Sequence, residues 1–438
     1  MKNKGLAFLF GCLLSISFTA AGSCQQTINQ SLTAFANGDF QNARQHFTWV
    51  LGKKYTTDAL SQVHRQLGRF KAKGHSRWLV INQQHYLLTS MLFSSGPKTA
   101  IGRCDPSGAI SYFEWGPWSD ARSRIAKAKV QKLSSGVSLV PDILRSRWGP
   151  LPAVWTFPQG NGPFAAVLLV AGAGAQDMDG REGANQPLKQ LAIALAKKGI
   201  ASFRYDKAIR AYPTPAILDK QLTVDDDETD DALSALSLMA KNRQLNPQRI
   251  FLLGHSLGAM LAPRIAKRSQ VDLKGVIMMA APSLTLLDNA KLQTAYLDKL
   301  NALNAVAAKQ HQIELEQEQQ LLANHKPGTA IDGDFIGMPQ SWFLSLHQYA
   351  QVKVAQSLTL PLLLLQGAQD FQVPAAQNWP IWQAALNDKT NATLIEYPAL
   401  SHLFMPAGKA PSPKDYQKAA VIPAKVTDDM NAWIKAHS

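Results

Sequence analysis

From about residue 139 to the C-terminus, short unbroken apolar runs alternate with longer stretches whose apolar residues recur every three or four positions. An unbroken run bounded by turn residues is the pattern of a strand buried on both faces, and the three-to-four spacing is that of a helix with one buried face. The runs predict strands over 153–157, 165–171, 200–204, 249–253, 275–280, 361–366 and 393–397. The spaced stretches predict helices over 188–198, 226–241, 259–267 and 424–436. Such alternation implies an α/β architecture, a largely parallel sheet with helices on both faces. Between the strands ending near 280 and starting near 361 lies a Leu-, Ala- and Gln-rich segment, helical from 286 through 323 and irregular around 326–339. An insertion at that point lies over the carboxyl edge of the sheet, so residues 284–358 are expected to form a helical cap.

The first part of the chain is patterned differently. Ala34, Phe35, Phe40, Ala43 and Phe47 recur near helical spacing within 27–69, with a turn at Gly38-Asp39. Segments 78–81, 86–93, 99–103 and 110–115 are rich in β-branched and aromatic residues and separated by Gly, Pro, Asn and Ser, as hairpin strands are. A small α+β domain is expected over 27–126, a linker over 127–138, and a second domain over 139–438. His64, His75 and His85 are dispersed through the first domain and read as structural or surface residues.

Composition narrows the classes. A chain of 438 residues, 46% hydrophobic and 17% charged, is long enough for two cores and too apolar for disorder. The formal charge of +14 raises nucleic acid or anionic membrane as partner. Its lysines and arginines are scattered rather than gathered, which reads as a solvated basic surface. At the start, Met1-Lys2-Asn3-Lys4 is basic, 6–18 is apolar, and Thr19-Ala20-Ala21-Gly22 is small, the pattern of a signal peptide over 1–22 and of an exported protein. No later run has the length of a membrane span. Of three cysteines, Cys24 and Cys104 follow the leader. They could pair as a disulfide, or Cys24 could be acylated after Ala21-Gly22-Ser23.

The candidate chemistry begins at Gly254-His255-Ser256-Leu257-Gly258, between an apolar run and a helix-forming stretch. In that setting the pentapeptide forms a sharp strand-to-helix turn that exposes its serine, with glycines where a Cβ would collide. A serine hydroxyl needs an adjacent base, and the base a group to orient it. After the run 362–365 comes Asp370, and only His402 and His437 follow that aspartate. His437 lies beside the C-terminus. His402 lies in the loop after strand 393–397, so Ser256, Asp370 and His402 all fall at one edge of the expected sheet. Oxyanion donors are then the backbone N–H of Leu257 and that of Ala173, in the loop Gly172-Ala173-Gly174-Ala175 after strand 165–171.

Three rival motifs are weaker. Gly172-x-Gly174 lacks the third glycine of a dinucleotide fingerprint, where Asp177 stands. Asp177-x-Asp179-Gly180 lacks the later acids of a calcium loop. The acidic run 225–231 follows Thr223, a helix cap, and carboxylates suit a helix N-terminus.

The phrases Val170-Ala-Gly-Ala-Gly-Ala-Gln-Asp-Met-Asp-Gly180, Phe203-Arg-Tyr-Asp206, Gly254-His-Ser-Leu-Gly258, Gln366-Gly-Ala-Gln-Asp-Phe-Gln-Val373 and Ser401-His402-Leu-Phe404 resemble successive signatures of bacterial α/β-hydrolases of the serine esterase type. Residues 27–120 are similar to the N-terminal domain of unassigned role that some members carry. The resemblance implies hydrolysis of small carboxylic esters through an acyl-enzyme, with Ser256 as nucleophile, His402 as base, Asp370 as orienting acid and no cofactor or metal. Met178, Ala208-Ile209 and Met260 depart from the usual residues at their positions and leave substrate preference open. The same three residues serve peptidases, thioesterases and acyltransferases, and a hydrolase fold used only for binding is the remaining alternative.

Overall fold

The structure is a computed structural model that describes residues 13–408 and 410–438, with side chains from residue 23 onward. Of the leader expected at 1–22, positions 1–12 and the side chains up to 22 lie outside the described residues. The chain divides into two compact units, Met1–Ser119 with Pro213–Asp219, and Asp120–Tyr212 with Lys220–Ser438. No described helix is long and apolar enough to cross a membrane.

The first unit opens with α1 (Leu13–Ala36), α2 (Phe40–Arg44), α3 (Trp49–Lys54) and α4 (Thr57–Leu67). Asp39, Thr48 and Thr56 each accept a backbone N–H at the start of α2, α3 and α4, which sets where those helices begin. An antiparallel sheet follows, β1 (Phe70–Ile81), β2 (Gln84–Phe93), β3 (Gly96–Cys104) and β4 (Ile110–Gly116), paired in chain order. Ile28, Leu32 and Phe35 line one face of α1 and bury themselves with Leu60, Phe93 and Phe113. Cys24 is bonded to Cys104, with Cα atoms 5.9 Å apart, tying α1 to the end of β3. A sulfur in that bond carries no thioether lipid, so of the two uses of Cys24 the structure takes the pairing. His64 packs edge-on against Phe35, ring centroids 5.3 Å apart, while His75 and His85 are exposed.

The second unit begins with α5 (Ala121–Lys127), β5 (Gln131–Lys132), β6 (Ser138–Ser146), β7 (Gly149–Phe157), β8 (Phe164–Val170), α6 (Pro187–Lys197), β9 (Ile200–Tyr205) and α7 (Ala208–Ala211). After α8 (Pro213–Leu218), which packs in the first unit, come α9 (Asp230–Ala240), β10 (Leu245–His255), α10 (Leu257–Arg268) and β11 (Leu273–Met279). Nine strands form one sheet in the order β15-β14-β11-β10-β8-β9-β7-β6-β5, where β14 is Leu362–Gly367 and β15 is Ala392–Tyr397. From β15 to β9 all neighbours are parallel; β7, β6 and β5 continue the sheet antiparallel. Leu362, Leu363, Leu364 and Leu365 are all buried, each contributing about 2 kcal/mol of transfer free energy.

The expected linker at 127–138 is in part structural, since β5 pairs with the start of β6. Strand β6 escapes the apolar pattern because Pro141 and Asp142 interrupt it. Its partner β5 reaches only Leu139, so Pro141 has no ladder bond to lose on that side. The region 284–358 holds α11 (Leu286–Lys299), α12 (Ala305–Ala323), the short pair β12 (Asp334–Phe335) and β13 (Met338–Pro339), then α13 (Gln340–His347) and α14 (Gln351–Ser357). Its helical first half is as expected, whereas α13 and α14 are too short to show a helical period. The chain ends with α15 (Ala375–Leu386), preceding β15, and α16 (Ala424–Ala436).

Candidate active site

Strand β10 delivers Ser256 to the sheet's carboxyl edge, and α10 starts at the next residue. Ser256 has φ 56° and ψ −120°, a backbone state that side chains seldom adopt and that concentrates at functional sites. A Cβ at Gly254 would collide with the Gly258 carbonyl, and one at Gly258 would stand 2.5 Å from the Ala171 oxygen. Glycine is therefore required at both positions by contact, not by flexibility. The helix begins two residues earlier than the apolar spacing predicts, because Ser256 itself caps it and its carbonyl accepts the Met260 N–H at 2.9 Å.

Strands β14 and β15 lead into the loops that carry Asp370 and His402. His402 Nδ1 lies 2.7 Å from Asp370 Oδ2, both side chains buried. A carboxylate at that distance takes the ring proton, which places the proton on Nδ1 and leaves Nε2 as acceptor. Asp370 Oδ1 accepts the backbone N–H groups of Gln372 and Val373 at 2.8 Å each, and Gln366 Nε2 approaches Oδ2 at 3.3 Å. These donors fix the carboxylate within its own loop. Two of the three residues are thus joined directly. The Ser256 hydroxyl bonds to no described residue, and it is tied to the pair through its neighbour. His255 donates from Nε2 to the His402 carbonyl at 2.8 Å, with the two rings 4.7 Å apart. Burial, and then the adjoining His402, push the His255 pKa down to about 3, so His255 holds the loop as a neutral ring.

The loop after β8 passes against Ser256. A Cβ on Gly172 would sit 3.0 Å from Ser256 Cβ, so a bare backbone is needed there. Ala173 is exposed, and its N–H and that of Leu257 bond to no described residue, which leaves both candidate oxyanion donors free. Further along, Asp177 Oδ1 accepts the N–H of Asp179 and of Arg181, and Asp179 Oδ1 takes the Arg204 guanidinium at 3.1 Å. Asp177-x-Asp179-Gly180 is therefore a turn closed on itself and an arginine.

The acidic run is also spoken for. Thr223 and Asp226 bond reciprocally at its start, with Thr223 Oγ1 2.6 Å from Asp226 Oδ2. Arg264 and Arg268 pair with Asp225, Arg268 with Asp230 and Arg147 with Asp226. Helix formation was expected from 226, but Asp225–Thr229 forms a π-helical turn before α9. That wider turn carries Asp227 and Glu228 into the interior, where both face the buried ammonium of Lys207.

Sequence reasoning missed Lys207 and the roles of Gly172, His255 and Asp206. Asp206 and Lys207 end the phrase Phe203-Arg-Tyr-Asp206-Lys207, and their charge directly after a buried strand was the available signal. Asp206 Oδ1 accepts the Met178 N–H at 2.8 Å and its other oxygen pairs with Arg124. Helix α11 packs against the residue after Asp370 as well: its Tyr296 stacks on Phe371, centroids 6.0 Å apart.

Residues 180–406 match the Hydrolase_4 family, described as serine aminopeptidase, S33. The chain is 33% identical over 288 residues to the esterase EstD of Thermotoga maritima, a match spanning 65% of this chain and 65% of that relative's length. It is similar to a solved esterase of Pyrococcus furiosus with TM-score 0.45 and 15% identity, covering 74% of this chain and 95% of that one. An acylaminoacyl peptidase of Pyrococcus horikoshii gives TM-score 0.43 and 13% identity, over 83% of this chain and 50% of that one. The matched family region takes in Ser256, Asp370 and His402 together with the strands that carry them, and the chain belongs to this α/β-hydrolase family of serine aminopeptidase type, Hydrolase_4.

Proposed function

We propose that this chain is an exported hydrolase that cleaves small carboxylic esters through an acyl-enzyme on Ser256. The observation that carries the reading is the 2.7 Å bond between His402 and Asp370 at the sheet edge where the strained turn presents Ser256. His402 Nε2 takes the Ser256 proton as Oγ bonds to the ester carbonyl carbon. The N–H groups of Leu257 and Ala173 receive the negative oxygen. The tetrahedral adduct then collapses, the C–O bond to the alcohol breaks, and His402 returns the proton to the leaving oxygen. Water repeats the sequence on the acyl-enzyme, releasing acid and Ser256. No step uses a metal or organic cofactor.

Residues 139–438 are assigned the chemistry in this reading, with 284–358 as a cap that shapes access. The leader at 1–22 and the Cys24–Cys104 bond support export into an oxidising compartment. The relative in Thermotoga maritima is called an esterase, which supports the ester as substrate. The family description favours a second reading, aminopeptidase action by the same residues. Purified protein offered p-nitrophenyl acetate and aminoacyl p-nitroanilides separates the two. Ester turnover that disappears in Ser256→Ala is expected; turnover of the anilides alone would overturn the ester assignment.

A further inference from the structure

The Gly172–Ala173 peptide has its two polar ends in different surroundings. Lys207 Nζ donates to the Gly172 carbonyl at 3.2 Å, inside the protein, while the Ala173 N–H is free and Ala173 is exposed. In a trans peptide the C=O and the following N–H point in opposite directions. A cation that captures the carbonyl therefore sets the direction of the amide. We propose that Lys207 is a positioning residue for the oxyanion site: by holding Gly172 C=O inward it turns the Ala173 N–H outward, beside Ser256. The inference rests on the reading of Ser256 as nucleophile.

Three observations converge on it. Gly172 lies against Ser256 closely enough that a Cβ would press on the serine Cβ at 3.0 Å. Lys207 is itself fixed: its Nζ pairs with Glu228 and lies 3.8 Å from Asp227, and its backbone N–H donates to Gln176 O at 3.2 Å, further along the same loop. Both carboxylates come from the π-helical turn Asp225–Thr229. Lys207 is held at 2% side-chain exposure. A glycine-rich loop has no side chains of its own with which to choose between its two peptide orientations, and a buried ammonium supplies that choice without occupying the substrate's space.

An oxyanion donor acts on a carbonyl oxygen and serves sulfur poorly, so the rate ratio between p-nitrophenyl acetate and its thionoester reads this role. A merely structural lysine would not move it. Lys207→Met with Glu228→Gln, which removes cation and anion together, is expected to lower kcat on the oxygen ester about 10- to 100-fold with little change in KM. The oxygen-to-sulfur ratio should collapse in the same protein. Lys207→Gln with Glu228→Gln, whose amide still donates to Gly172, should restore most of the ratio. Ala173→Pro deletes the donor without touching the buried cluster and should collapse the ratio alone. A folded methionine variant that keeps the wild-type ratio overturns the inference, and so does an Ala173→Pro protein that keeps it, which decides the matter even when the buried variants do not fold. A wild type that hydrolyses neither ester overturns the functional reading instead.

Discussion

Asp370 and the pair Asp227–Glu228 are buried carboxylates of the same unit, yet they are satisfied by opposite means. Asp370 takes two backbone N–H groups from residues two and three positions on, and spends its other oxygen on His402. Asp227 and Glu228 face the Lys207 ammonium, which reaches them from another part of the chain. The first arrangement is local, made by one tight turn, and leaves the carboxylate aimed at His402. Burial pushes Glu228 well above the usual carboxylate range, against the pull of Lys207, so its ionised form depends on that single partner. Under the proposed function, the carboxylate that acts is supported by its own loop, and those that anchor are supported across the fold. Damage to the first should appear in rate, and damage to the second in stability.

The largest separation is expected at Ser256, the proposed nucleophile. Ser256→Ala should reduce kcat on the order of 10⁵- to 10⁶-fold, with urea unfolding little changed. Asp370→Asn keeps the shape of the local turn but removes the acceptor that selects the His402 tautomer. A fall of about 10⁴-fold in kcat is expected, again with small change in stability, from steady-state kinetics beside denaturant titration. In the ionic cluster the order reverses. Glu228→Ala leaves Lys207 buried with only the more distant Asp227, and should cost about 3–5 kcal/mol of unfolding free energy. A Glu228→Ala protein as stable as wild type would break the comparison.

His255 refines it. Its ring is neutral in the folded protein because its pKa is lowered to about 3, against 6.5 when exposed. The unfolded chain therefore binds a proton that the folded chain refuses. Stability that is intact above pH 6.5 is lost as pH falls from there toward 3, amounting to about 3 kcal/mol at pH 4. His255→Asn should abolish that part of the loss, visible as a smaller drop in unfolding free energy between pH 7 and pH 4. The opposite sign is expected at Asp231, where burial raises the pKa to about 7. The folded state favours its protonated form, so stability declines as pH rises from 3.8 through 7. Asp231→Asn should raise the urea midpoint at pH 8 and change it less at pH 5.

What the chain disclosed follows the same division. The sequence pattern predicted every strand of the parallel set: the inner strands are buried on both faces and leave a largely apolar signal, while β15, at the sheet edge, is only partly buried. The turn at Gly254–Gly258 was readable because the pentapeptide stands between an apolar run and a helix-forming stretch; Gly254 is demanded by a contact within the turn, whereas Gly258 is demanded by the distant Ala171 carbonyl. Asp370 and His402 were readable from their place after strands. The ionic cluster was not, since nothing in Lys207 or Glu228 announces that one faces the other. Strand β6 was hidden by Pro141, and α13 and α14 by their shortness. The free hydroxyl of Ser256 shows what geometry at rest leaves to substrate binding, as hydrogen bonds of this kind tighten only in the complex.

The central claim is that an acyl group passes through Ser256. Rapid mixing with p-nitrophenyl acetate, acid quench and peptide mass analysis tests it directly. One acetyl group on the peptide carrying Ser256, formed and lost at the rate of turnover, is the predicted result. Ester turnover with the acetyl group on another residue, or on none, would contradict it.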